Sequence, residues 1–425
     1  MEEHQNYKTV TSDLLVIGAG MAGISTALEV AETGFTASLI EKQAHIGGRV
    51  ARMNKYFPKL CPPQCGLEIN YKRLKSNPNI KLFTMAEVVD IKGSKGDYKV
   101  KVLIKPRYIK DEALDLDLEN AANECGIDIP NEFNFGLDNT TVIHKSFNNA
   151  FPAEYLLEKN MLNEEQLKFL AANFRETLDL EQKEELIEFH VKAIVLATGW
   201  DPYPAEKIEY YGFKKYPDVI RNVEMERLAS PNGPYKGKIL RPSDKKEIES
   251  VVFVQCAGSR DENYLEYCSS ICCLASLKQA RYVREQYPNA EVHIFYIDMR
   301  THGIFEEFYQ ETKKDDKIFF HRGKVAKVFQ ENGSTQLTVE AEDTINGGLK
   351  QFKTDLVVLA TGMMPTNDKI KGLDRSILDR NGFVMENNLG IIGSGVSTYP
   401  SDVATSVQDA TAAAIKAIQI IKGGK

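Results

Sequence analysis

Four cysteines in the middle of the chain have the type and spacing to hold a metal centre. Cys256 closes an apolar run at 251–255, and Cys268, Cys272 and Cys273 follow within 17 residues. Iron–sulfur clusters and zinc are the centres that cysteine thiolates bind best, and four thiolates suffice for a [4Fe-4S] cubane. Two alternatives stay open on this pattern alone: a zinc site, or buried structural cysteines in a tight strand-to-helix turn.

The elements that must position these thiols are a strand and a helix. Val251 to Gln255 predicts a buried strand, and residues 269–286 predict a helix. Cys268 and Cys272 are four positions apart and would share a helical face, whereas Cys273 would turn about 100° away. A second dinucleotide-binding domain would carry a GxGxxG loop at this place. The sequence therefore predicts that soft ligands replace the phosphate cradle of a nicotinamide cofactor.

A glycine-rich turn near the start of the chain predicts a dinucleotide site. Gly18, Gly20 and Gly23 stand in the order GxGxxG between a predicted strand and a predicted helix at 22–33, and Glu41 ends the next predicted strand. The first glycine permits the tight turn, the second lets the backbone approach a pyrophosphate, and the third lets the helix pack on the strand. The helix N-terminus then faces the phosphates, and Glu41 would accept the ribose hydroxyls.

Later positions favour FAD over NAD. Gly47, Gly48 and Arg49 follow closely after Glu41 and suit the longer FAD diphosphate and its ribityl end. Two apolar strands, at 193–197 and 355–360, each end in Ala-Thr-Gly, which predicts two related nucleotide-fold domains. The predicted cofactor-binding residues are Gly18, Gly20, Gly23, Glu41, Lys42, Gly47, Gly48, Arg49, Val88, Ala197, Thr198, Gly199, Gly362, Gly393 and Ser394.

The end of the chain predicts a second contact with the flavin. The loop at 390–395 resembles a flavin-side loop that usually reads Gly-Asp, but Ser394 stands at the aspartate position. A helix is predicted from about 403 to 422, with Ser401 or Asp402 as N-cap and Gly423-Gly424 as its stop. Its positive end would favour negative charge on a reduced flavin ring.

Other reactive side chains keep two interpretations. Cys61 and Cys65 flank a Pro-Pro-Gln loop and are either a redox or ligand pair or free thiols in a packed loop. Cys125 is isolated and predicted to be structural. Arg300 and His302 follow a strand of the second domain and would either approach the flavin or the cluster or have a surface or partner role.

Length and composition set the class of protein. The 425 residues are 43% hydrophobic and 27% charged, which is ordinary for a globular chain with two or three domains. A net charge of −7 argues against a nucleic-acid partner. Apolar runs fall short of the roughly 18 to 20 residues that cross a bilayer, so a cytoplasmic protein is expected. Seven cysteines, an odd number, fit metal or redox use better than a disulfide framework.

The predicted fold class is α/β, with two Rossmann-type three-layer domains of which the FAD domain is discontinuous. Residues 1–110 form its first part, 111–190 an insertion, 191–250 its continuation, 251–362 the second domain with the cysteines, and 363–425 its last part. Residues 163–189 of the insertion are predicted to be helical. The insertion is either a partner surface or a solvated excursion.

Several longer runs carry a resemblance to a known family. The most specific are Lys-Leu-Cys-Pro-Pro-Gln-Cys-Gly-Leu-Glu-Ile-Asn at 59–70 and Tyr-Cys-Ser-Ser-Ile-Cys-Cys at 267–273; others lie at 47–58, 105–108, 216–219, 241–244, 254–261 and 401–405. Through these runs the chain resembles the family of heterodisulfide reductase A subunits over most of its length. Within that family it is most similar to the A subunits of quinone-interacting membrane-bound oxidoreductase complexes.

The resemblance implies a fold, cofactors and partners. It implies a thioredoxin-reductase-like flavoprotein fold, FAD, and a [4Fe-4S] cluster on Cys256, Cys268, Cys272 and Cys273. It also implies a cytoplasmic-side complex, peripherally attached to the membrane through an iron–sulfur flavoprotein and a membrane subunit, with adenylylsulfate reductase as a further partner. A homodimer is a further expectation. This chain departs from larger members in having one residue fewer between its first two cluster cysteines. After Lys105-Pro-Arg-Tyr108 it has Cys125 alone in place of the ferredoxin-type cysteines.

Three hypotheses about function follow. In the first, FAD converts between two-electron and one-electron transfer and exchanges single electrons with a cluster at the four cysteines. In the second, the chain is an NAD(P)H-dependent flavin disulfide reductase that uses Cys61 and Cys65, a hypothesis weakened by the missing second GxGxxG. In the third, FAD is a structural element of a scaffold subunit, and physiological donors do not reduce it.

Overall fold

Two five-stranded parallel sheets form the framework of the molecule. The computed structural model describes residues 8–344 and 347–423. The strands, in chain order, are β1 Lys8–Thr11, β2 Leu14–Ile17, β3 Ala37–Ile40, β4 Ile80–Phe83, β5 Ala86–Ser94, β6 Asp97–Ile104, β7 Asp128–Pro130, β8 Asn139–Thr141, β9 Ile143–His144, β10 Leu156–Leu157, β11 Glu185–Val191, β12 Ala193–Leu196, β13 Trp200–Pro202, β14 Val219–Arg221, β15 Ser250–Ala257, β16 Glu291–Tyr296, β17 Ile318–Arg322, β18 Val325–Gln330, β19 Leu337–Glu342, β20 Leu349–Thr354, β21 Leu356–Thr361, β22 Met363–Pro365 and β23 Ile391–Gly393. The α-helices are α1 Met21–Glu32, α2 Gln64–Ser76, α3 Asp115–Glu124, α4 Glu164–Asn173, α5 Asn222–Ala229, α6 Cys272–Gln286, α7 Phe305–Thr312 and α8 Val403–Ile421.

The first parallel sheet has the strand order β23-β12-β2-β3-β4. Its central strands β2, β3 and β12 are buried along their whole length, which explains why the sequence shows continuous apolar runs and no alternation. Helix α8 packs on α1 through small buried residues, Ala410, Ala413, Ala414 and Ala417. Asp402, one of the two residues predicted as the N-cap, caps α8 by accepting a hydrogen bond from the Thr405 backbone N–H at 2.7 Å. Gly424, one of the two glycines predicted to end α8, lies outside the described residues.

The second parallel sheet has the order β14-β21-β15-β16-β17, with α5 and α6 against one face. Its other face packs on the antiparallel sheet β18-β19-β20 and on residues just before β14, in an apolar core that includes Tyr203, Tyr211 and Val254. The two Ala-Thr-Gly strands lie in different sheets, β12 in the first and β21 in the second. The chain therefore has two nucleotide-fold layers, as the repeated pattern predicts.

Both strands that follow the Ala-Thr-Gly turns meet at the passage between the two sheets. Strands β13 and β22 pair antiparallel, with Trp200 opposite Pro365 and Pro202 opposite Met363. The Tyr203 N–H also donates to the Gly362 carbonyl at 2.8 Å. The outgoing and returning connections thus form one short two-stranded ribbon.

Three sequence predictions about these elements are wrong in part. The helix predicted at 163–189 ends at Asn173, and Glu185–Val191 is instead a strand between β1 and β6, because its alternating burial suits a sheet with one covered face. The helix predicted from residue 269 begins at Cys272. Strand β14 and helix α5, predicted within the continuation of the FAD domain at 191–250, pack in the second sheet layer.

The segment predicted as an insertion has an apolar core of its own. This core joins α3, the small strands β7 to β10 and α4, and it contains Cys125, which is buried as predicted for a structural thiol. Asn163 begins α4 with a capping box to Gln166. Within the described ranges, every helix is too short or too polar to span a bilayer.

Candidate functional site

A cavity of about 1040 Å³ lies at the carboxyl edge of the first sheet and extends to the second domain and the insertion. Its volume is at the upper end of the range for cofactor sites. The turn after β2, the end of β3, the 3-10 turn Gly48–Arg52 and the start of α8 line one side. Helix α6 lines the opposite end, and residues 131–133 and 156–160 of the insertion close another wall.

The glycine turn is built by close contacts that leave no room for side chains. A Cβ on Gly18 would lie 2.3 Å from the Ala197 carbonyl oxygen, and one on Gly23 would lie 1.9 Å from the Gly18 oxygen. Gly20 and Gly48 face each other, and a Cβ on Gly48 would lie 2.9 Å from the Gly20 Cα. Two backbone segments therefore approach one another at the cavity, which is the geometry that a pyrophosphate cradle requires.

Glu41 lies at the end of β3 and stabilises this turn while it faces the cavity. Its Oε2 accepts from the Ala19 N–H at 2.8 Å and its Oε1 from the Gln43 N–H at 3.0 Å. Burial raises the pKa of this carboxyl, although the backbone N–H groups oppose the shift. Each oxygen keeps acceptor capacity for a ligand hydroxyl, since a carboxylate oxygen accepts more than one hydrogen bond.

Arg49 and Ser394 also line the cavity. Arg49 donates from Nε to the Trp200 carbonyl at 3.0 Å and forms an ion pair with Asp201. Ser394 is 1% exposed, lines the cavity, and its Oγ has no hydrogen-bond partner among the described residues. A buried hydroxyl without a partner costs stability unless a ligand satisfies it. The cradle and this hydroxyl fit the diphosphate and ribityl chain of FAD.

Eleven of the fifteen predicted cofactor residues line the cavity, and four do not. Those that line it are Gly18, Gly20, Glu41, Lys42, Gly48, Arg49, Val88, Ala197, Thr198, Gly199 and Ser394. Gly23, Gly47, Gly362 and Gly393 stand behind the lining. A Cβ on Gly47 would lie 2.5 Å from the Tyr71 hydroxyl, and one on Gly362 would lie 2.2 Å from the Ser259 Oγ. These four glycines permit close packing of the walls and do not offer atoms to the cavity.

The four clustered cysteines come together at the end of β15 and the start of α6. Cys256 lies at an irregularity in the pairing of β15 with β21 and has a φ of +56°. The Cys272 Sγ lies 3.6 Å from the Thr361 carbonyl oxygen, and the Cys273 Sγ lies 3.8 Å from that of Asp298. Cys268 precedes the helix, so the prediction that it shares a helical face with Cys272 is wrong. Its Sγ accepts a hydrogen bond from the Ser270 N–H at 3.3 Å.

Burial governs the protonation of these thiols. It raises the pKa of Cys256 and Cys272, and raises that of Cys273 to about 11, with further increases from the neighbouring cysteines. The Arg260 guanidinium beside Cys256 opposes the shift at that residue. All four cysteines are free thiols. Binding of a metal centre here would therefore release protons, since thiolates are the ligands.

Within residues 8–344 and 347–423, no three histidine, cysteine or carboxylate side chains converge closely enough to hold a single metal ion. Cys268 also lines a second cavity of about 640 Å³ with Arg260 and Arg300.

Sequence reasoning missed the contribution of α6 to the first cavity. Ile271, Leu274, Ala275 and Lys278 line it, beside the cysteines on the same helix. Lys278 is buried and forms an ion pair with Glu226 at 3.0 Å. The spacing of 271, 274, 275 and 278 is that of one helical face, so the pattern was present. Only the fold shows that this face meets the FAD cavity.

The remaining predicted groups lie away from the cavity. Cys61 is partly exposed on the loop before α2, and Cys65 is exposed in the first turn of that helix. The neighbouring Tyr56 and Phe57 line the cavity, and the Tyr56 N–H donates to the Cys61 carbonyl at 3.0 Å. Arg300 lies beside Cys273 and the second cavity, whereas His302 is exposed.

Comparisons with known proteins agree with this architecture. Residues 16–79 match the family model described as an NAD(P)-binding Rossmann-like domain. One of the iron-sulfur A subunits of the CoB–CoM heterodisulfide reductase of Methanopyrus kandleri is 36% identical, over 98% of this chain and 65% of that protein. The A subunit of the H2:CoB-CoM heterodisulfide,ferredoxin reductase of Methanothermobacter thermautotrophicus is also 36% identical, with the same coverage. The chain is a homologue of heterodisulfide reductase A subunits. It spans 65% of the length of these two relatives.

Solved structures confirm the predicted fold of this heterodisulfide reductase homologue. Thioredoxin reductase of T. acidophilum superposes with a TM-score of 0.53 at 15% identity, covering 97% of this chain and 98% of that one. Thioredoxin reductase of Lactococcus lactis gives the same TM-score at 14% identity, covering 97% and 99%. The homologue thus has a thioredoxin-reductase-like α/β fold. The cradle and the cavity fit a dinucleotide cofactor such as FAD.

Proposed function

We propose that this chain is the FAD-containing electron-transfer subunit of an oxidoreductase complex, with a [4Fe-4S] cluster on Cys256, Cys268, Cys272 and Cys273. The first turns of α6 carry this proposal. Ile271, Leu274 and Ala275 face the FAD cavity, and Cys272 and Cys273 lie between them in sequence. The thiols and the cavity-lining residues therefore alternate along the start of α6, so we expect a short path for single electrons between the flavin and the cluster.

The bound groups would supply the redox chemistry, with FAD taking two electrons and a cluster taking one at a time. The residues of this chain bind, orient and shield them. The glycine turn and Glu41 hold the dinucleotide, and Arg49 and Lys278 place positive charge on the cavity wall. Arg260, next to Cys256, offsets the negative charge that ligating thiolates would bring.

The second domain supports electron relay over hydride transfer from a nicotinamide. Strand β15 leads into a 14-residue connection, 258–271, before α6 begins, and this connection contains a single glycine, Gly258. A dinucleotide-binding domain would have a short glycine turn there, with the helix N-terminus aimed at the phosphates. In this chain the N-terminus of α6 carries two cysteines.

We further propose a set of partner proteins for this chain. The proposal rests on the resemblance carried by the sequence runs at 47–58, 59–70 and 267–273. The complex would relay electrons between adenylylsulfate reductase and a quinone-linked membrane subunit in dissimilatory sulfur metabolism, together with an iron–sulfur flavoprotein. The chain would lie on the cytoplasmic side of the membrane and associate through these partners, and a homodimer would be compatible with this arrangement. The relatives' names support the coarser part of this proposal, since each is a subunit of a heterodisulfide reductase.

Iron and acid-labile sulfide analysis of anaerobically purified full-length protein tests the cluster. We expect about four irons and four sulfides per chain in the wild type, with broad visible absorbance that a reductant bleaches. Cys272→Ala should lose most of the iron. The matched control is Cys125→Ala, because Cys125 is buried in the core of the insertion. Equal iron in Cys272→Ala and wild type would refute the ligand set.

Anaerobic mixing with NADH and NADPH separates relay from the disulfide reductase alternative. Relay predicts that neither nucleotide bleaches the flavin rapidly, whereas dithionite does. Rapid, complete bleaching by either nucleotide, together with turnover of a disulfide substrate that Cys61→Ser or Cys65→Ser abolishes, would instead establish the alternative. A flavin that dithionite reduces but that no electron carrier of low potential can reduce would support the scaffold hypothesis.

A further inference from the structure

His45 has a buried imidazole ring, and the Nδ1 atom of this ring has no hydrogen-bond partner among the described residues. It lies between Glu41 and Gly48, lines the FAD cavity, and is 4% exposed. Its Nδ1 makes no hydrogen bond to any of the described residues. Leaving a buried polar atom unpaired costs about 1 to 3 kcal/mol, so native proteins almost always satisfy such atoms.

Two aromatic rings of the insertion fix the orientation of this imidazole. Phe133 lies edge-on to it at 5.6 Å between centroids and Phe147 at 5.1 Å, and these two phenylalanines stack on each other at 4.4 Å. Burial, helped by the positive charge of Arg52, lowers the pKa of His45 to about 3. The ring is therefore neutral at physiological pH, and Nδ1 can act as a hydrogen-bond donor or acceptor without carrying a charge.

The insertion loop that carries Phe133 is itself tied to the cavity wall. The Arg52 guanidinium lies 5.3 Å from the Phe133 ring, and its Nη1 donates to the Glu132 carbonyl at 3.2 Å. Because Arg52 also lines the cavity, the loop and the wall form one packed unit around His45.

We infer that His45 is an FAD-positioning residue, whose Nδ1 hydrogen-bonds the ribose–diphosphate portion of the cofactor, and that Phe133 and Phe147 of the insertion hold it there. This inference rests on FAD binding as proposed above. The cradle fits that portion at this point of the cavity, since Glu41 precedes His45 and the pyrophosphate-facing Gly48 follows it. The insertion then has a definite role as a clamp on the bound cofactor.

The test is FAD release from purified full-length holoprotein on serial dilution, followed by the recovery of flavin fluorescence. His45→Phe keeps an aromatic ring between Phe133 and Phe147 but removes the nitrogen, and we expect its dissociation constant to rise about tenfold, as for loss of one hydrogen bond to a charged group. His45→Asn places an amide nitrogen near the position of Nδ1 and should restore at least half of the lost affinity on a logarithmic scale.

Controls separate positioning from a general effect on folding. His293→Phe changes a partly buried histidine, in the second sheet and outside the cavity, and should keep the wild-type dissociation constant. Thermal unfolding of His45→Phe with excess FAD should give a smaller FAD-dependent gain in melting temperature than the wild type shows. Unchanged FAD release from His45→Phe, or equal release from His45→Phe and His45→Asn, would overturn the inference. A wild-type protein that binds no FAD would overturn the proposed function itself.

Discussion

The Nε of Arg227 donates a hydrogen bond to the Asn134 Oδ1 at 2.8 Å, which joins helix α5 of the second sheet layer to the insertion. The same guanidinium donates to the Arg52 carbonyl at 3.1 Å, next to the FAD cavity, and to the Asn232 carbonyl at 3.0 Å. Arg227 is fully buried, and its guanidinium lies 4.6 Å from the Phe133 ring. One side chain thus connects three parts of the fold.

Replacing this arginine should destabilise the protein strongly. Arg227→Met keeps most of the side-chain volume but leaves the Asn134 amide oxygen and two backbone carbonyls without their donors, so we expect a loss of about 3 kcal/mol in the free energy of unfolding. Denaturant unfolding followed by circular dichroism measures it. Arg73→Met is the matched control, because Arg73 forms an exposed ion pair with Glu32 and should contribute less than about 1 kcal/mol. A similar loss of unfolding free energy in both variants would contradict the role of Arg227 in connecting these three parts of the fold.

The sequence was sufficient for the parts of the site that depend on local pattern. The turn at Gly18, Gly20 and Gly23, the acid Glu41, and the cap Asp402 all lie where a βαβ unit or a helix start requires them, since nearest neighbours in sequence determine these features. The strand Glu185–Val191 was mistaken for helix because it follows a charged helical stretch. Its partners, β1 and β6, are distant in sequence.

Contacts between distant segments could not be predicted. Nothing local to His45 reveals that Phe133 and Phe147 pack on it, and nothing in 271–278 reveals that this helical face meets a cavity built by residues 17–57. Most cavity-lining residues of the insertion are polar, so in the sequence they look like solvent-exposed residues. Long-range contacts of this kind depend on the tertiary fold, which pattern and propensity do not specify.

The approach of Gly48 to Gly20 predicts a specific loss of cofactor. In Gly48→Ala the new methyl group would lie 2.9 Å from the Gly20 Cα and force the two backbone segments apart. We expect purified Gly48→Ala to retain less than about a tenth of the wild-type flavin, measured by absorbance after release, since even about 1.4 kcal/mol is tenfold in affinity. Gly34→Ala is the control: it also has a positive φ, but its Cβ would meet nothing within 4 Å. Full flavin content in Gly48→Ala would show that FAD binding does not depend on the close approach of Gly48 to Gly20.

A histidine pair in the second sheet predicts a pH dependence of stability. The His293 Nδ1 and the His321 Nε2 are 2.9 Å apart, and burial, with the nearby charges of His293 and Lys350, lowers the pKa of His321 to about 4. The unfolded chain therefore takes up this proton first as the pH falls below about 6.5, and the folded state loses stability until the pH reaches about 4.

The variant His321→Phe should lack this contribution. We expect its free energy of unfolding, compared with that of the wild type, to improve by up to about 3 kcal/mol between pH 7 and pH 4. Denaturant titrations at several pH values give the difference. His302→Phe, at an exposed position, serves as the control and should follow the wild-type profile. Parallel profiles for His321→Phe and wild type would exclude the partly buried pair of His293 and His321 as the source of the pH dependence.

The position of Lys278 leads to a prediction about the reduction potential of the flavin. Its side chain is 5% exposed, forms an ion pair with Glu226 at 3.0 Å, and lies on the cavity wall formed by α6. With the flavin ring at the α6 end of the cavity, as the proposed function requires, a positive charge there favours the reduced, more negative ring, so Lys278→Met should lower the two-electron potential by about 30 mV or more, equivalent to about 1.4 kcal/mol. Anaerobic dye-linked titration of the flavin measures this shift. Lys278→Arg keeps the charge and should stay near the wild-type value, whereas Glu226→Gln removes the opposing charge and should raise the potential. Because the last two changes keep the polar contacts and differ in charge, a lowered potential in all three variants would indicate disturbed packing at α6 and would contradict the electrostatic role of Lys278.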